Sequence, residues 1–487
     1  MNSTIQAGAG SAHVATTESA LAFPVEAILR ATGATLVAGD AAMRATRVCT
    51  DTRKIQRGDV YFALDGLNHD GNRFALEACA KGAAAVVLEE RASAREVVAA
   101  LPAGPAAIVA ADTRRARGDL ANFHRRRLSA RVIGVTGSCG KTTVKNMLVE
   151  LLASRWRTLG SPSSFNNDVG VPQTIFLADA ATEALVVEMG TNHHGEIGRL
   201  CEIAEPEAAI VTTVGASHLE GLGSIAGVAR EKGALPRSIP ASGFVVLNAD
   251  NPWTSAMAAE TRARVLTFGL EGSGEFSATD IAFDRQGTSF RLFGRQLRSP
   301  LLGLHNVQNL AAAIAACHGF GVGIDELEGA IARLAPARGR LQRIDAGRLT
   351  LVDDSYNANP ESVRAAIDTL ASMRGHRRRV LVLGDMAELG ERAGDLHHEV
   401  GASAARDEID LLVLVGALSR ATAAGALEAG MPRGRVVHCA DLDEAARIVP
   451  PLLCGGDVVL LKASRASQLD LLAQAILAAE QAQGNAA

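Results

Sequence analysis

The stretch that decides the fold is Val132-Ile133-Gly134-Val135-Thr136-Gly137-Ser138-Cys139-Gly140-Lys141-Thr142-Thr143, followed by apolar residues at Val144, Met147, Leu148, Leu151 and Leu152. The β-branched run up to Thr136 reads as a buried strand, and the apolar positions after Thr143 follow helical spacing. Strand, glycine-rich turn, Lys-Thr and helix in that order form a context in which backbone N–H groups and a helix N-terminus cradle phosphate. Gly137 and Gly140 would let the backbone turn tightly against the anion. Lys141 would reach the β/γ-phosphates, and the Thr142 hydroxyl would hold a magnesium ion. The general pattern G-x-x-x-x-G-K-[ST] asks for glycine at position 135, where this chain has Val135, so the motif present is the shorter T-G-x-x-G-K-T-T. A plain glycine-rich strand–helix connection with an exposed lysine is the alternative. Agreement of strand, glycines, Lys-Thr-Thr and amphipathic helix favours phosphate binding, though it does not separate a motor, a switch, a kinase and a ligase.

Working outward, strand candidates at Ala184 to Glu188, Ala208 to Val214 and Phe244 to Asn248 alternate with helical or loop stretches, which implies a parallel sheet covered on both faces. Ser277 to Ser299 reads as a few antiparallel strands, and Asn306 to Phe320 as a helix. Before the central sheet, a short helix from Pro24 to Thr32 and strands near Val48, Val60 to Ala63 and Ala85 to Leu88 predict a small α/β domain. After it, Leu349 to Asp353, Val380 to Leu383, Leu411 to Val415 and Val458 to Leu461 predict a second doubly wound, Rossmann-like sheet. The expected fold class is therefore α/β with three domains. The expected boundaries are a disordered extension at 1–20, a small domain at 21–127, a central P-loop domain at 128–345 and a C-terminal domain at 346–487.

Composition fits this size and class. A chain of 487 residues exceeds one hydrophobic core, and 48% hydrophobic with 21% charged residues is ordinary for a globular enzyme. A formal charge of −4 gives no global pull toward nucleic acid or an anionic membrane, so any anion must be held locally. The seven cysteines are scattered with no C-x-x-C pair, which argues for a reducing compartment and against structural zinc. The first twenty residues lack a basic region followed by an apolar one, so no secretory signal is expected, and no apolar run of about 18 residues occurs. The expectation is a cytoplasmic monomer.

Several further segments resemble the Mur ligase family, which also contains folylpolyglutamate synthetase. They are the P-loop variant itself, Ser164 to Pro172, Glu188-Met189-Gly190-Thr191-Asn192, Gly303 to Asn309, Asp353-Asp354-Ser355-Tyr356-Asn357-Ala358-Asn359-Pro360 and Gly384-Asp385-Met386-Ala387-Glu388-Leu389-Gly390. The last two most resemble the member that adds D-alanyl-D-alanine. The resemblance spans nearly the whole chain and implies an ATP-dependent, ADP-forming ligase. It would join D-alanyl-D-alanine to UDP-N-acetylmuramoyl-tripeptide through an acyl phosphate, in the cytoplasmic stage of peptidoglycan precursor synthesis. A sibling adding a single amino acid, or a folylpolyglutamate-synthetase-like ligase, is the neighbouring reading. A P-loop switch protein is the reading from another class, and it leaves two α/β domains without a task.

Residue by residue, the resemblance assigns the nucleotide to Gly137 through Thr143, that is Gly137, Ser138, Cys139, Gly140, Lys141, Thr142 and Thr143, together with Asn306, Arg340 and Asp353. It assigns two magnesium ions to Thr142, Glu188, His218 and Lys232, with Lys232 carried as a carbamate. Taken alone, Glu188 at a strand end suits magnesium, with an exposed strand-end acid as the alternative, while His218 is a lone histidine and Lys232 a surface lysine of a helix. The peptide-bearing substrate falls to Asn166 and Asn167. The uridine diphosphate end falls to Thr50-Asp51-Thr52-Arg53, with Thr50, Thr52 and Arg53 as the contacts, and to Asn68-His69-Asp70-Gly71; loop chemistry explains both segments almost as well. Two departures stand out. Cys139 occupies a position often held by Asn in relatives, and Ala463, in Lys462-Ala463-Ser464-Arg465, replaces a glycine and would be strained if the turn needed positive φ.

Overall fold

The strand-end loops, rather than the strands, carry the chemistry, so the sheets matter chiefly for where their C-terminal edges point. The structure is a computed structural model and describes residues 22–66, 69–284, 286–407 and 409–484. The extension expected at 1–20 and Asn68 lie outside the described residues. Among the described residues no helix is long and apolar enough to cross a membrane.

The chain divides into two compact units, one formed by residues 1–128 with 175–181 and the other by 129–174 with 182–487. In the first, the strands Arg47–Cys49, Asp59–Phe62, Ala85–Glu89 and Ala106–Ala110 run parallel, and Thr35–Ala38 closes one edge antiparallel. Tyr61, Val86, Leu88 and Val97 pack beneath the sheet with Ala75 and Ala78. Pro24 sits just before the helix Val25–Thr32, where its missing N–H costs nothing. The sequence offered no reason to include Ile175–Ala181 here. The reason is aromatic and polar: Phe176 stacks on His124 with centroids 6.3 Å apart, and His124 Nε2 meets Ala178 O at 2.9 Å.

The second unit contains two sheets. Nine strands run in the spatial order Arg295–Ser299, Gly287–Leu292, Phe276–Asp284, Arg264–Leu270, Phe244–Asn248, Ala208–Val211, Arg131–Thr136, Ala184–Glu188 and Thr158–Gly160. Pairing is parallel from Thr158–Gly160 through to Phe276–Asp284, and antiparallel in the last two pairs. The helices Lys141–Leu152 and Leu304–Gly319 bury Leu148, Leu151, Leu310 and Ile314 against Ile133, Val135, Val246 and Phe268. Strands buried on both faces explain the unbroken apolar runs.

The other sheet has six strands in the order Gln342–Ala346, Leu349–Asp354, Val458–Lys462, Arg379–Gly384, Leu411–Val415 and Val436–Cys439. All pairs are parallel except the first, an antiparallel hairpin. That hairpin places Gln342–Ala346 with this sheet although the strand precedes the expected cut at 346, because a turn at Gly347-Arg348 returns the chain at once. Ala463 is fully buried and lies outside the left-handed residues, so the alanine carries no strain from positive φ.

Candidate active site

The C-terminal ends of both sheets in the second unit meet one cavity of about 670 Å³. On one side the strand Arg131–Thr136 releases into the P-loop, and the helix Lys141–Leu152 begins at once. Gly137 has φ +147°, and a Cβ there would stand 1.9 Å from Thr212 Oγ1; at Gly140, φ is +83° and a Cβ would stand 2.4 Å from Asn309 Oδ1. Both positions therefore demand glycine for conformation and for space. The loop is braced from the neighbouring strand end. Ser138 N donates to Thr213 O at 2.8 Å, Ser138 and Ser217 hydroxyls meet at 2.8 Å, and Thr212 donates its hydroxyl to Cys139 O. Lys141 Nζ folds back on its own turn and donates to Gly137 O at 2.6 Å. Burial holds the Lys141 ammonium below the usual lysine range, with Glu188 opposing that shift. A lysine desolvated in this way gains most from an arriving polyphosphate.

The facing wall comes from the six-stranded half. Arg340 Nη2 donates to Thr142 Oγ1 at 3.1 Å, and its guanidinium lies 4.4 Å over the Tyr356 ring. Tyr356 in turn meets Ser164 through its hydroxyl. Cys139 Sγ lies 3.1 Å from Asn359 Oδ1, and burial pushes its thiol above the usual range, so the cysteine is an inert member of the loop. Asn359 also caps the helix Pro360–Ser372 by accepting from Ser362 N, and Glu361 in that first turn accepts from Ala216 N at 2.7 Å. Lys462, at the end of its strand, donates to Asp354 Oδ2 at 2.6 Å and to Asn357 O at 3.0 Å.

Glu188 ends its strand in register with Val135, one residue before the P-loop strand finishes. It is 1% exposed; Asn166 Nδ2 donates to its Oε1 at 2.9 Å, while Oε2 is buried without a hydrogen-bond partner. His218 follows the strand Ala208–Val211 in a left-handed conformation, φ +52°. Its Nδ1 lies 2.6 Å from Glu388 Oε2, and this contact holds the Glu388 carboxyl below the usual carboxylate range. Lys232 ends the helix Ile225–Lys232 fully buried, and its Nζ has no hydrogen-bond partner. Burial, reinforced by the nearby Lys141 charge, holds its amine well below the usual lysine range. No group of three or more His, Cys, Asp or Glu side chains that could hold a metal occurs among the described residues.

The cavity thus brings together Ser138, Cys139, Gly140, Lys141, Thr142, Thr143, Asn166, Glu188, His218, Asn306 and Arg340. Others stand apart from its wall. Gly137 is absent from the lining; Asn167 accepts from Val169 N and Gly170 N as a turn cap; Asp353 accepts from Ser355 N and Oγ. Of the Asp353-Asp354 pair it is Asp354 that lines the cavity. Lys232 is likewise no part of the lining. Thr50, Thr52 and Arg53 belong to the first unit, where Asp51 caps the turn Thr52–Lys54 and pairs with Arg53 at 2.8 Å. Sequence reasoning missed Asp354, Tyr356, Asn359, Glu361, Glu388 and Lys462 as individual side chains, although most lie in segments it singled out. It also missed Lys145, whose buried ammonium donates to Ser161 O at 2.8 Å and Ser163 O at 3.0 Å.

A P-loop on a mainly parallel nine-stranded sheet, faced across one cavity by a second α/β sheet, defines a P-loop nucleotide-binding protein. Residues 135–317 match the Mur ligase middle domain, 339–465 the Mur ligase glutamate ligase domain and 44–125 the Mur ligase family catalytic domain. The UDP-N-acetylmuramoyl-tripeptide–D-alanyl-D-alanine ligase of Escherichia coli strain K12 is 37% identical over 440 residues, covering 88% of this chain and 93% of that protein. The Bacillus subtilis strain 168 protein of the same name is 34% identical over 428 residues, covering 87% and 91%. A crystal structure of MurF from Acinetobacter baumannii superposes with a TM-score of 0.85 at 30% identity, covering 94% of this chain and 99% of that one. The chain belongs to the Mur ligase family, within its UDP-N-acetylmuramoyl-tripeptide–D-alanyl-D-alanine ligase branch.

Proposed function

We propose that this chain joins D-alanyl-D-alanine to UDP-N-acetylmuramoyl-tripeptide in the cytoplasm, splitting ATP to ADP and phosphate. The observation that carries the reading is the shared cavity, which sets a half-buried P-loop lysine and a half-satisfied Glu188 opposite Arg340, Asp354 and Lys462. Residues 21–127 would hold the uridine diphosphate end through Thr50, Thr52 and Arg53. Residues 128–345 would hold ATP, and 346–487 would close on it and bind the acceptor. Asn306, Arg340 and Asp353 are the assigned nucleotide contacts, and Asn166 and Asn167 those of the peptide.

The tripeptide carboxylate oxygen attacks the γ-phosphorus of ATP. The bond from that phosphorus to the β–γ bridging oxygen breaks, and ADP leaves. Lys141 and the P-loop amides neutralise charge on the transferring phosphoryl group. The dipeptide amine then attacks the carbonyl carbon of the acyl phosphate, the carbon–oxygen bond to phosphate breaks, and the ammonium proton is lost. Water reaching the acyl phosphate would hydrolyse it, so the facing wall of Arg340, Tyr356 and Lys462 serves to exclude it.

The orphaned Glu188 Oε2 and the Thr142 hydroxyl suit a hard cation that keeps few protein ligands and takes the rest from phosphate. Thr142, Glu188, His218 and a carbamylated Lys232 would hold two magnesium ions, which supply charge neutralisation when bound. The buried, unpartnered Lys232 amine supports the carbamate.

The test is ADP release by purified protein with UDP-N-acetylmuramoyl-tripeptide, comparing D-alanyl-D-alanine with single amino acids. The expected result is release that depends on the dipeptide. A single amino acid that works equally well would make the chain a sibling ligase, and release without any acceptor would make it a nucleotide switch.

A further inference from the structure

The segment Gly384–Gly390 leaves the C-terminal end of the strand Arg379–Gly384 and sets Ala387, Glu388 and Leu389 on the cavity wall. No strand ladder holds it there, and Glu388 sits at φ +61°. Its position depends on hydrogen bonds to three other parts of the fold. Asp385 accepts from Ser419 N at 2.8 Å and Leu418 N at 3.2 Å, and its carbonyl accepts from Ser464 N at 3.0 Å and Ser464 Oγ at 2.6 Å. The third anchor is His397, on the helix Ala393–Arg406: Met386 N donates to its Nε2 at 3.0 Å.

The protonation of His397 follows from its partners. Met386 N–H can only donate, so Nε2 presents its lone pair. Nδ1 lies 2.6 Å from Ala393 O, which can only accept, so Nδ1 carries the proton. His397 is 0% exposed and Met386 is 0% exposed, so the amide has no water to turn to if the ring is lost. An unpaired buried N–H carries its full desolvation penalty, which is enough to displace a loop that no ladder holds.

We propose that His397 is a positioning residue for the ligase reaction. Through the Met386 amide, its neutral ring fixes the Ala387–Leu389 backbone, and with it Glu388 against His218, on the cavity wall. The inference rests on the functional reading above for its kinetic consequence, and on the fold alone for its structural one.

Three substitutions separate the two ring nitrogens. Gln at 397 carries its amide near the place of Nε2 and can accept from Met386. Asn reaches only the place of Nδ1, and Leu reaches neither. Acceptor kcat/KM should fall by about tenfold or more in His397→Asn and His397→Leu and stay within about threefold in His397→Gln, while nucleotide affinity changes by less than about threefold in all. Amide hydrogen exchange at Met386 should be slow in wild type and His397→Gln, and fast in His397→Asn. If His397→Leu does not fold, the Asn and Gln pair decides. Equal acceptor kinetics in the Asn and Gln variants, or a Met386 amide that exchanges fast in wild type, would overturn the proposal. A wild-type protein inert toward the dipeptide would refute the functional reading instead, and the Met386 exchange pattern would still decide whether His397 fixes the loop.

Discussion

Arg340 reaches across the cavity to donate to Thr142 Oγ1 at 3.1 Å while its guanidinium rests on the Tyr356 ring, 4.4 Å from the centroid. One planar cation thereby touches the second residue of the P-loop helix and an aromatic ring from its own side of the cavity. A lysine would keep the charge but lose both the fork and the stacking. Arg340→Lys should raise the KM for ATP by roughly five- to tenfold, about 1–1.4 kcal/mol, with a smaller effect on kcat. Initial rates of ADP release at varied ATP and saturating second substrates check this.

Lys141 stores the larger effect. Its ammonium is desolvated and donates only to Gly137 O at 2.6 Å among the described residues, so the phosphoryl group in flight is a better partner than any it has at rest. Lys141→Ala should lose on the order of a hundredfold or more in kcat, as when a preorganised donor is removed from a charge-developing site. An unchanged thermal melt alongside near-normal turnover would exclude this role.

His305 gives the chain an acid sensitivity with a defined sign. Burial, outweighing the pull of Asp354, pushes its pKa from 6.5 down to about 4. Above pH 6.5 the ring is neutral folded and unfolded, so full stability is present there. As pH falls toward about 4 the unfolded chain takes up a proton that the folded ring refuses, and stability is lost. The loss is at most about 3–4 kcal/mol, at about 1.4 kcal/mol for each tenfold weakening of proton affinity. His305→Gln should make denaturant-measured stability decline less steeply than wild type across that window. Parallel declines would show that other groups account for it.

How far the sequence reaches depends on the range of the interactions. The P-loop is local: strand, glycines, lysine and helix are contiguous, and Gly137 and Gly140 are both held to glycine in the structure. The parallel strands at 131–136, 184–188 and 208–211 were legible from their apolar runs because both faces are covered. Glu361 and Glu388 were not legible as site residues. Each is an acid near the start of a helix or loop, and only the tertiary fold brings it to Ala216 or His218. The same holds for Lys462 with Asp354, which are 108 positions apart. Ile175–Ala181 falls in with the first unit through Phe176 and His124, a pairing that no periodicity signals.

Lys232 is where composition and structure disagree most. Lysine is rarely buried, and the helix Ile225–Lys232 offers no local sign that its last residue should be. Yet Lys232 is 0% exposed and its Nζ has no hydrogen-bond partner. An ammonium in that position is costly, and burial together with the charge of Lys141 favours the neutral amine. A neutral amine is the form that captures carbon dioxide, and the resulting carbamate reverses the charge and presents the oxygen ligands that magnesium prefers. Lys232→Ala should therefore lose activity while keeping its fold and much of its nucleotide affinity, since the P-loop contacts remain. Added acetate should restore part of the rate by supplying a carboxylate where the carbamate was. Carbon NMR of protein equilibrated with labelled bicarbonate should show a carbamate resonance that disappears in Lys232→Ala. Active wild-type protein without that resonance, together with an alanine variant of normal rate, would leave Lys232 as a buried neutral amine with no part in catalysis.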